Sequence, residues 1–330
     1  MTGETPKSHA DGVSVVICTK DRPADVTRAV ALIRASSETG RVAEILVVEE
    51  SDTPREIPGV RYVHLPREGR GFGHARNVGV RAARSDLLAF VDDDCEVSPD
   101  WLDRLIAPLR ANRDILGFAG AVLVRDCGLL GYAESILGFP GGGLRYLHQA
   151  RGKVVTTRYL STCNCAYRRD AVVDVGGFAE DAVFGGEDSL LAERVVARGP
   201  CVYEPRAVVY HRPRGRLRAI FRWFVRRGKS EIGSLRSTTQ RAGVARYVLR
   251  SSWTLRLLLL VVALALWPSL VRFLPVGLGV YYAVILSRFR FALRYPVYRR
   301  AWWLVPIVKL TMDAGAEVGR WAALVGRTRR

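Results

Sequence analysis

Four short strand-like runs, each closing on polar or acidic residues, constrain this chain more than any other feature. Val13–Cys18, Ile45–Val48 and Leu87–Val91 are rich in Val, Ile and Leu, and Arg61–Leu65 gives a further short strand. They end at Thr19-Lys20-Asp21-Arg22-Pro23, at Glu49-Glu50-Ser51-Asp52, ahead of the glycine-rich stretch Gly69–Gly73, and at Asp92-Asp93-Asp94. Near-continuous β-branched runs read as strands buried on both faces. Between them lie helical patterns: Val26, Ala29, Val30 and Ile33 share one face, and a second helix is expected from His74 to Ala83. Strands alternating with helices give an α/β fold, a doubly wound and mostly parallel sheet, with the site at the carboxyl ends of the strands.

Beyond Phe118 the pattern is less regular. Tyr159–Arg168 reads as a strand, Gly138–Gly143 as a mobile loop, and Asp181–Gly199 as a loop followed by a helix. After His211 the composition changes. From Pro205 onward the chain holds 25 Lys+Arg against 3 Asp+Glu, and the preceding part 25 against 29, so the net charge of +18 sits entirely in the last third. That third also holds the apolar stretches Leu257–Val271 and Phe273–Leu286. Basic residues around apolar runs suit the cytoplasmic face of a membrane with anionic lipids better than nucleic acid, which is not expected as a partner. Each stretch is shorter than the roughly 20 residues of a straight span. Pro268 and Pro275 break whatever helix forms there. Kinked spans forming a hairpin, or re-entrant helices, are expected, with a pair of buried core helices as the alternative. Trp302, Trp303 and Trp321, with Lys309 and Arg320, fit an interfacial helix.

The six cysteines show no CxxC spacing and no histidine completes a zinc pattern, which favours reduced thiols. The polar start Met1–Gly12 has no apolar core of the kind a cleaved leader carries.

Asp92-Asp93-Asp94 is the strongest chemical signal. Three carboxylates at one strand end repel one another unless a cation compensates. Hard oxygen ligands suit Mg²⁺ or Mn²⁺, which can bridge a diphosphate. A solvated acidic turn is the alternative.

The order of segments resembles the family 2 glycosyltransferases. The segments that carry the resemblance are Ser14–Ile17 through Arg22-Pro23, Leu46–Ser51, Gly73–Gly79, and Phe90–Asp94 with Pro99 and Leu102. Asn164, Ala166, Arg168-Arg169, Gly176-Gly177-Phe178 and Gly186-Glu187-Asp188 continue it, so that it covers Val13 to Gly228. The resemblance implies a GT-A type domain over 13–228, after a disordered lead-in at 1–12. A basic helical linker at 229–256 and membrane-associated helices at 257–330 would follow.

The resemblance further implies that Thr19, Asp21, Glu49, Glu50, Arg76, Asp92 and Asp93 hold the donor nucleotide. Asp94, with Asp93 and His211, would face the metal. Asp188, supported by Glu187, would act as the base of an inverting transfer, with helix capping as the plainer reading. His211 is equally readable as a structural histidine. Glu in place of the commoner Asp after the second strand leaves the base open: a UDP-sugar comes first, with GDP- and dTDP-sugars as alternatives. Arg222-Trp223 matches the end of a motif of processive members, but Ala219 stands where Gln is usual, so single-sugar transfer is expected. The acceptor would be a glycan or a lipid-linked group. A catalytically weak membrane-associated binding module is the competing reading.

Overall fold

The computed structural model describes residues 12–36, 42–182, 184–238, 243–244, 246–247, 250 and 252–326, so the lead-in lies outside the described residues apart from Gly12. The chain divides into two units, residues 1–125 with 138–212, and residues 126–137 with 213–330.

The first unit is built on a nine-stranded sheet. In chain order its elements are β1 Val13–Lys20, α1 Pro23–Ala35, β2 Val42–Glu50, β3 Arg61–Leu65, α2 Gly71–Ala82 and β4 Leu87–Val91. β5 Cys95–Val97, α3 Trp101–Ala111 and β6 Gly117–Leu123 follow. α4 Leu129–Ile136 belongs to the second unit. The first unit resumes with α5 Gly143–Ala150, β7 Val155–Thr156, β8 Asn164–Arg168, α6 Arg169–Asp174, α7 Glu187–Val196 and β9 Cys201–His211.

The strand order is β3-β2-β1-β4-β8-β6-β9-β5, with β7 added beside β9. β3, β2, β1 and β4 run parallel; β8 is antiparallel to both its neighbours, and β6 and β9 are again parallel. Strand alternation divides the core between the two faces. Val13, Val15 and Ile17 pack with α1 and α3 residues such as Val26, Ile33, Leu105 and Leu109. Val16 and Cys18 pack on the other face with Val80, Phe178, Leu191 and Val195. The buried face of α1 is Val26, Ala29, Val30 and Ile33, as the spacing indicates.

Three local expectations change. The strand expected over Tyr159–Arg168 begins only at Asn164, because β4 pairs with it over Asn164–Arg168 alone. α2 starts at Gly71, before His74. Gly138–Gly143 is a run of tight turns with four glycines at positive φ.

In the second unit, α8 Leu217–Thr238 is followed by α9 Trp253–Leu266, a 3₁₀ segment Pro268–Phe273 and α10 Leu274–Arg288. Two further 3₁₀ segments, Arg290–Arg294 and Tyr298–Leu304, lead to α11 Val305–Val325. α8 and α11 touch backbone to backbone. A Cβ on Gly319 would lie 2.1 Å from the Val225 carbonyl oxygen, and one on Gly228 2.1 Å from that of Ala316. Any side chain there would force the helices apart, which is the use of small residues at helix crossings. Because α8 runs unbroken through Gly228 and packs on α11, the unit boundary falls after Arg212. Residues 229–238 continue α8 as part of the second unit.

The apolar helices point outward. Leu259 is 70% exposed and Leu278 63%, which removes the buried-core reading. Pro268–Arg288, 21 residues with 6% of its apolar window buried, has the length and composition to cross a membrane. α9 has 14 residues, so by length one stretch rather than two reaches the span. The expected interfacial set also splits. Trp303 is half exposed, but Arg320 is buried against Glu317 and Glu231, and the Trp321 indole N–H donates to Glu317 at 2.8 Å.

Candidate active site

The acidic triplet follows β4 directly, and the chain then turns into β5. β5 pairs antiparallel with the end of β9, with Cys95 opposite His211, and the Arg212 N–H donates to the Asp94 carbonyl at 3.2 Å. That register carries His211 to the acids: its Nε2 lies 3.2 Å from Asp94 Oδ1. The other ring nitrogen, Nδ1, is 2.8 Å from the Arg212 carbonyl oxygen. A carbonyl only accepts, so Nδ1 carries a hydrogen and Nε2 is the nitrogen that faces the carboxylate. Two acceptors at that separation attract only with a proton or a cation between them.

Each carboxylate of the triplet has its own surroundings. The Thr19 hydroxyl, at the end of β1, donates to Asp93 Oδ2 at 2.6 Å. Arg22 Nη1 bridges Asp93 Oδ1 and Asp94 Oδ2, each at 3.1 Å. Burial pushes the Asp93 carboxyl above its ordinary range, Asp94 and Asp92 add to the rise, and Thr19 and Arg22 oppose it. Asp92 accepts from the Cys163 thiol at 3.0 Å and faces Arg76 Nη2 at 3.5 Å.

Arg76 ties the triplet to the other acidic pair. It projects from α2, is 6% exposed, and bonds Glu187 through Nη1. Its guanidinium lies over the Phe72 and Phe178 rings, 5.4 and 5.8 Å from their centroids. Burial disfavours its charge, but Glu187 and Asp92 together hold it above its ordinary value, so it is a fixed cation. Burial likewise pushes Glu187 up, against the attraction of Arg76.

Gly186, at φ 93°, caps α7, whose first residue Glu187 is buried and whose second, Asp188, is half-buried. Asp188 Oδ1 accepts from the Ser189 N–H at 2.7 Å, a contact within its own turn. Glu187 and Asp188 thus divide into a locked carboxylate and an accessible one.

The remaining expected residues lie nearer β2. Glu49 is 0% exposed; it accepts from the Tyr62 hydroxyl at 2.8 Å and is ion-paired with Arg55. Glu50 pairs with Lys20 at 2.5 Å. Asp21, in a left-handed turn at φ 56°, is held by Arg67, which also binds Asp52. The structure therefore brings Thr19, Asp92, Asp93, Asp94, His211, Arg76 and Glu187 into one network, with Asp188 at its edge. Asp21, Glu49 and Glu50 form separate pairs.

Sequence reasoning missed Arg22, Cys163 and Arg67. Arg22 stands in a quoted motif, but only the folded strand ends show it reaching residues more than seventy positions away. All six cysteines are free thiols.

Residues 14–176 match the family model "Glycosyl transferase family 2". These residues form a family 2 glycosyltransferase domain. The glycosyltransferase from Haloferax volcanii called glucosyl-dolichyl phosphate glucuronosyltransferase is 26% identical over 179 residues, 50% of this chain and 55% of its own length. Succinoglycan biosynthesis protein ExoM from Rhizobium meliloti is 28% identical over 65% of this chain and 71% of its own. Pre-mycofactocin glycosyltransferase from Mycobacterium tuberculosis is 28% identical over 64% of this chain but 44% of its own length. The chain thus spans from under half to under three quarters of these relatives. Mannosyltransferase PcManGT from Pyrobaculum calidifontis, solved in complex with GDP-Man and Mn²⁺, superposes with a TM-score of 0.58 at 17% identity. That superposition covers 97% of this chain and 89% of the other, and it establishes the GT-A fold expected from the sequence. Glu187, Asp188 and His211 lie beyond the matched segment of the glycosyltransferase domain and join its site through geometry.

The residues present fit a divalent cation. Carboxylate oxygens of Asp94 or Asp92 lie with His211 and a cysteine sulfur in two groups whose ligand atoms are all within 4.8 Å. Carboxylate oxygens suit Mg²⁺ or Mn²⁺, and imidazole suits divalent metals such as zinc and iron. The Nδ1–H to carbonyl contact of His211 is the orienting bond that metal-binding histidines carry.

Proposed function

We propose that the protein transfers one sugar from a nucleotide-diphosphate sugar to a hydroxyl of a lipid-linked or cell-envelope glycan, with inversion, in a Mn²⁺- or Mg²⁺-dependent reaction. The observation that carries this is the single network running from His211 and Asp94 through Asp93 and Asp92 to Arg76 and Glu187, with Asp188 accessible beside it.

In this reading Asp94 and His211, with Asp93, hold the cation and Arg76 the nucleotide. A bound divalent cation absorbs negative charge that develops on the leaving diphosphate. Thr19 and Arg22 keep the Asp93 carboxylate fixed. Asp188 takes the proton of the acceptor hydroxyl as its oxygen bonds to the anomeric carbon from the side opposite the departing diphosphate. Glu187, locked on Arg76, supports it. Glu49, Tyr62 and Arg55 back the base pocket, with Glu50 and Asp21 closer to solvent.

A UDP-sugar remains the first choice, and the GDP-Man complex of PcManGT keeps GDP beside it. The dolichyl phosphate and the succinoglycan in the names of two relatives support a lipid-linked or envelope acceptor. The outward apolar helices support membrane association, with the catalytic unit on the cytoplasmic face in view of the basic flanks. Incubating the full chain with Mn²⁺, labelled nucleotide sugars and membrane lipid extract tests the reading. The new linkage, read by NMR, should have the opposite anomeric configuration to the donor; retention would overturn the role given to Asp188.

A further inference from the structure

α2 carries more of the site than Arg76. Arg70 at its start, and His74 and Asn77 within it, recur at the spacing that puts side chains on one helix face. All three bond one carboxylate. Asn77 Nδ2 donates to Glu180 Oε1 at 2.9 Å, and His74 Nδ1 and Arg70 Nη2 each lie 3.0 Å from Oε2. The bonds from Asn77 and His74, with the charge of Arg70, hold the Glu180 carboxyl below its ordinary range against burial. A carboxylate only accepts, so His74 Nδ1 carries a hydrogen.

The backbone beside Glu180 lies directly on the same helix. The Phe178 N–H donates to Asn77 Oδ1 at 2.8 Å, and the Phe178 carbonyl accepts from Asn77 Nδ2 at 2.9 Å. One side-chain amide thus uses its oxygen and both its hydrogens on this segment. A Cβ on Gly73 would come within 2.4 Å of the Ala179 carbonyl oxygen, and one on Gly177, at φ 72°, within 2.6 Å of Asn77 Oδ1. A side chain at Gly73 would push the segment off the helix, and one at Gly177 would displace the Asn77 amide. The buried Phe178 ring lies 5.4 Å from that of Phe90.

The segment then continues to the acidic pair. Gly185 and Gly186 turn it into α7, where Glu187 meets Arg76 and Asp188 follows. α2 therefore grips this stretch at two points, through Arg70, His74 and Asn77 at its start and through Arg76 at its end. Among the described residues, Arg70, His74 and Asn77 bond nothing in the Asp92–Asp94 triplet, so their hold does nothing for a cation. What it can set is where the chain enters α7. We propose that Glu180 is a positioning residue for the transfer: by fastening the segment ahead of α7 to the helix that carries Arg76, it fixes the Asp188 carboxylate relative to the bound donor. The proposal rests on the reading of Asp188 as the base.

The test is a double-mutant cycle of Glu180→Ala and Asp188→Asn in the full chain. Transfer is read from labelled UDP-, GDP- and dTDP-sugars to membrane lipid extract with Mn²⁺. Glu180→Ala should lower kcat by about 10–100-fold, since misplacing a reacting group by roughly 1 Å can cost that much. Donor KM should stay near the native value. In the Asp188→Asn background the same change should cost no more than about 2-fold, because residues that act through one another are not additive. Backbone hydrogen exchange from Glu180 to Asp188 should rise in Glu180→Ala. Glu180→Gln, which keeps the volume but not the charge, goes through the same cycle if the alanine variant does not fold. A native kcat in the Glu180 variant, an equal fold loss in both backgrounds, or unchanged exchange overturns the proposal and leaves the base reading standing. A native kcat in Asp188→Asn removes the base reading, and this proposal with it.

Discussion

Asp94, in the turn just before β5, and His211, the last residue of β9, are far apart in sequence and meet because Cys95 on β5 pairs opposite His211. A β-ladder, not a flexible side chain, sets their 3.2 Å separation. A site built on strand register is rigid before anything binds, which favours fixed ligand geometry.

Arg22 is the charge that holds Asp93 and Asp94 together here. Arg22→Ala should leave the two carboxylates uncompensated and lower the melting temperature without metal. Added Mn²⁺ should then raise it by more than in the native chain, since binding to the folded state stabilises by mass action. Scanning fluorimetry with and without Mn²⁺ reads both. An equal Mn²⁺ response in the two proteins would show that Arg22 and the cation do not share these oxygens.

Asp188→Asn keeps an oxygen for the Ser189 N–H and so preserves the start of α7. It cannot take a proton at neutral pH. Transfer should fall by about 10²–10⁴-fold, the usual worth of general-base assistance, with donor affinity nearly unchanged. Initial rates measured beside donor binding decide it. Near-native transfer would leave Asp188 as a helix-capping residue only.

The sequence showed the first half of this site because its chemistry sits at the ends of strands that announce themselves. Val13–Cys18 and Leu87–Val91 are apolar enough to be buried on both faces, so Thr19 and Asp92–Asp94 had to emerge at the carboxyl ends of those strands. What joins the halves was not legible. Nothing local to Cys163 points to Asp92, and nothing local to Arg22 separates it from any surface arginine. These contacts come from strand order. Arg320 misled for a related reason: beside Trp321 it resembles a membrane anchor, yet Glu231 and Glu317 draw it inward.

Glu317 provides a pH test of the second unit. Burial alone would push its carboxyl up, but hydrogen bonds from Ser252, the Thr254 N–H, Trp321 and Arg320 outweigh burial and hold it down at about 2. A carboxyl lowered on folding stabilises the protein above its ordinary value of 4.5, and that contribution is lost as pH falls from there toward about 2. Glu317→Gln should therefore melt lower at pH 7, by roughly 3–6 °C. The gap should close as pH is taken from 5 toward 3. A gap independent of pH would mean that the charge of Glu317 plays no part.

Leu278 lies in the outward apolar stretch Pro268–Arg288. The native chain should float with lipid vesicles. Leu278→Arg should shift a large part of it to the soluble fraction, because a central arginine costs about 2.5–3.5 kcal/mol in an inserted helix. Flotation that is equal for both proteins would remove this stretch as the membrane contact.

The central claim is that the acidic network holds a divalent cation for a nucleotide-sugar donor. The most direct measurement is nucleoside diphosphate release from UDP-, GDP- and dTDP-sugars by the full chain, with Mn²⁺ or with EDTA, beside Asp94→Asn. At least one donor should be hydrolysed with Mn²⁺, and EDTA and the Asn variant should each remove most of that release. Release that persists in EDTA and in Asp94→Asn, or no release from any of the three donor classes with Mn²⁺, would contradict the account.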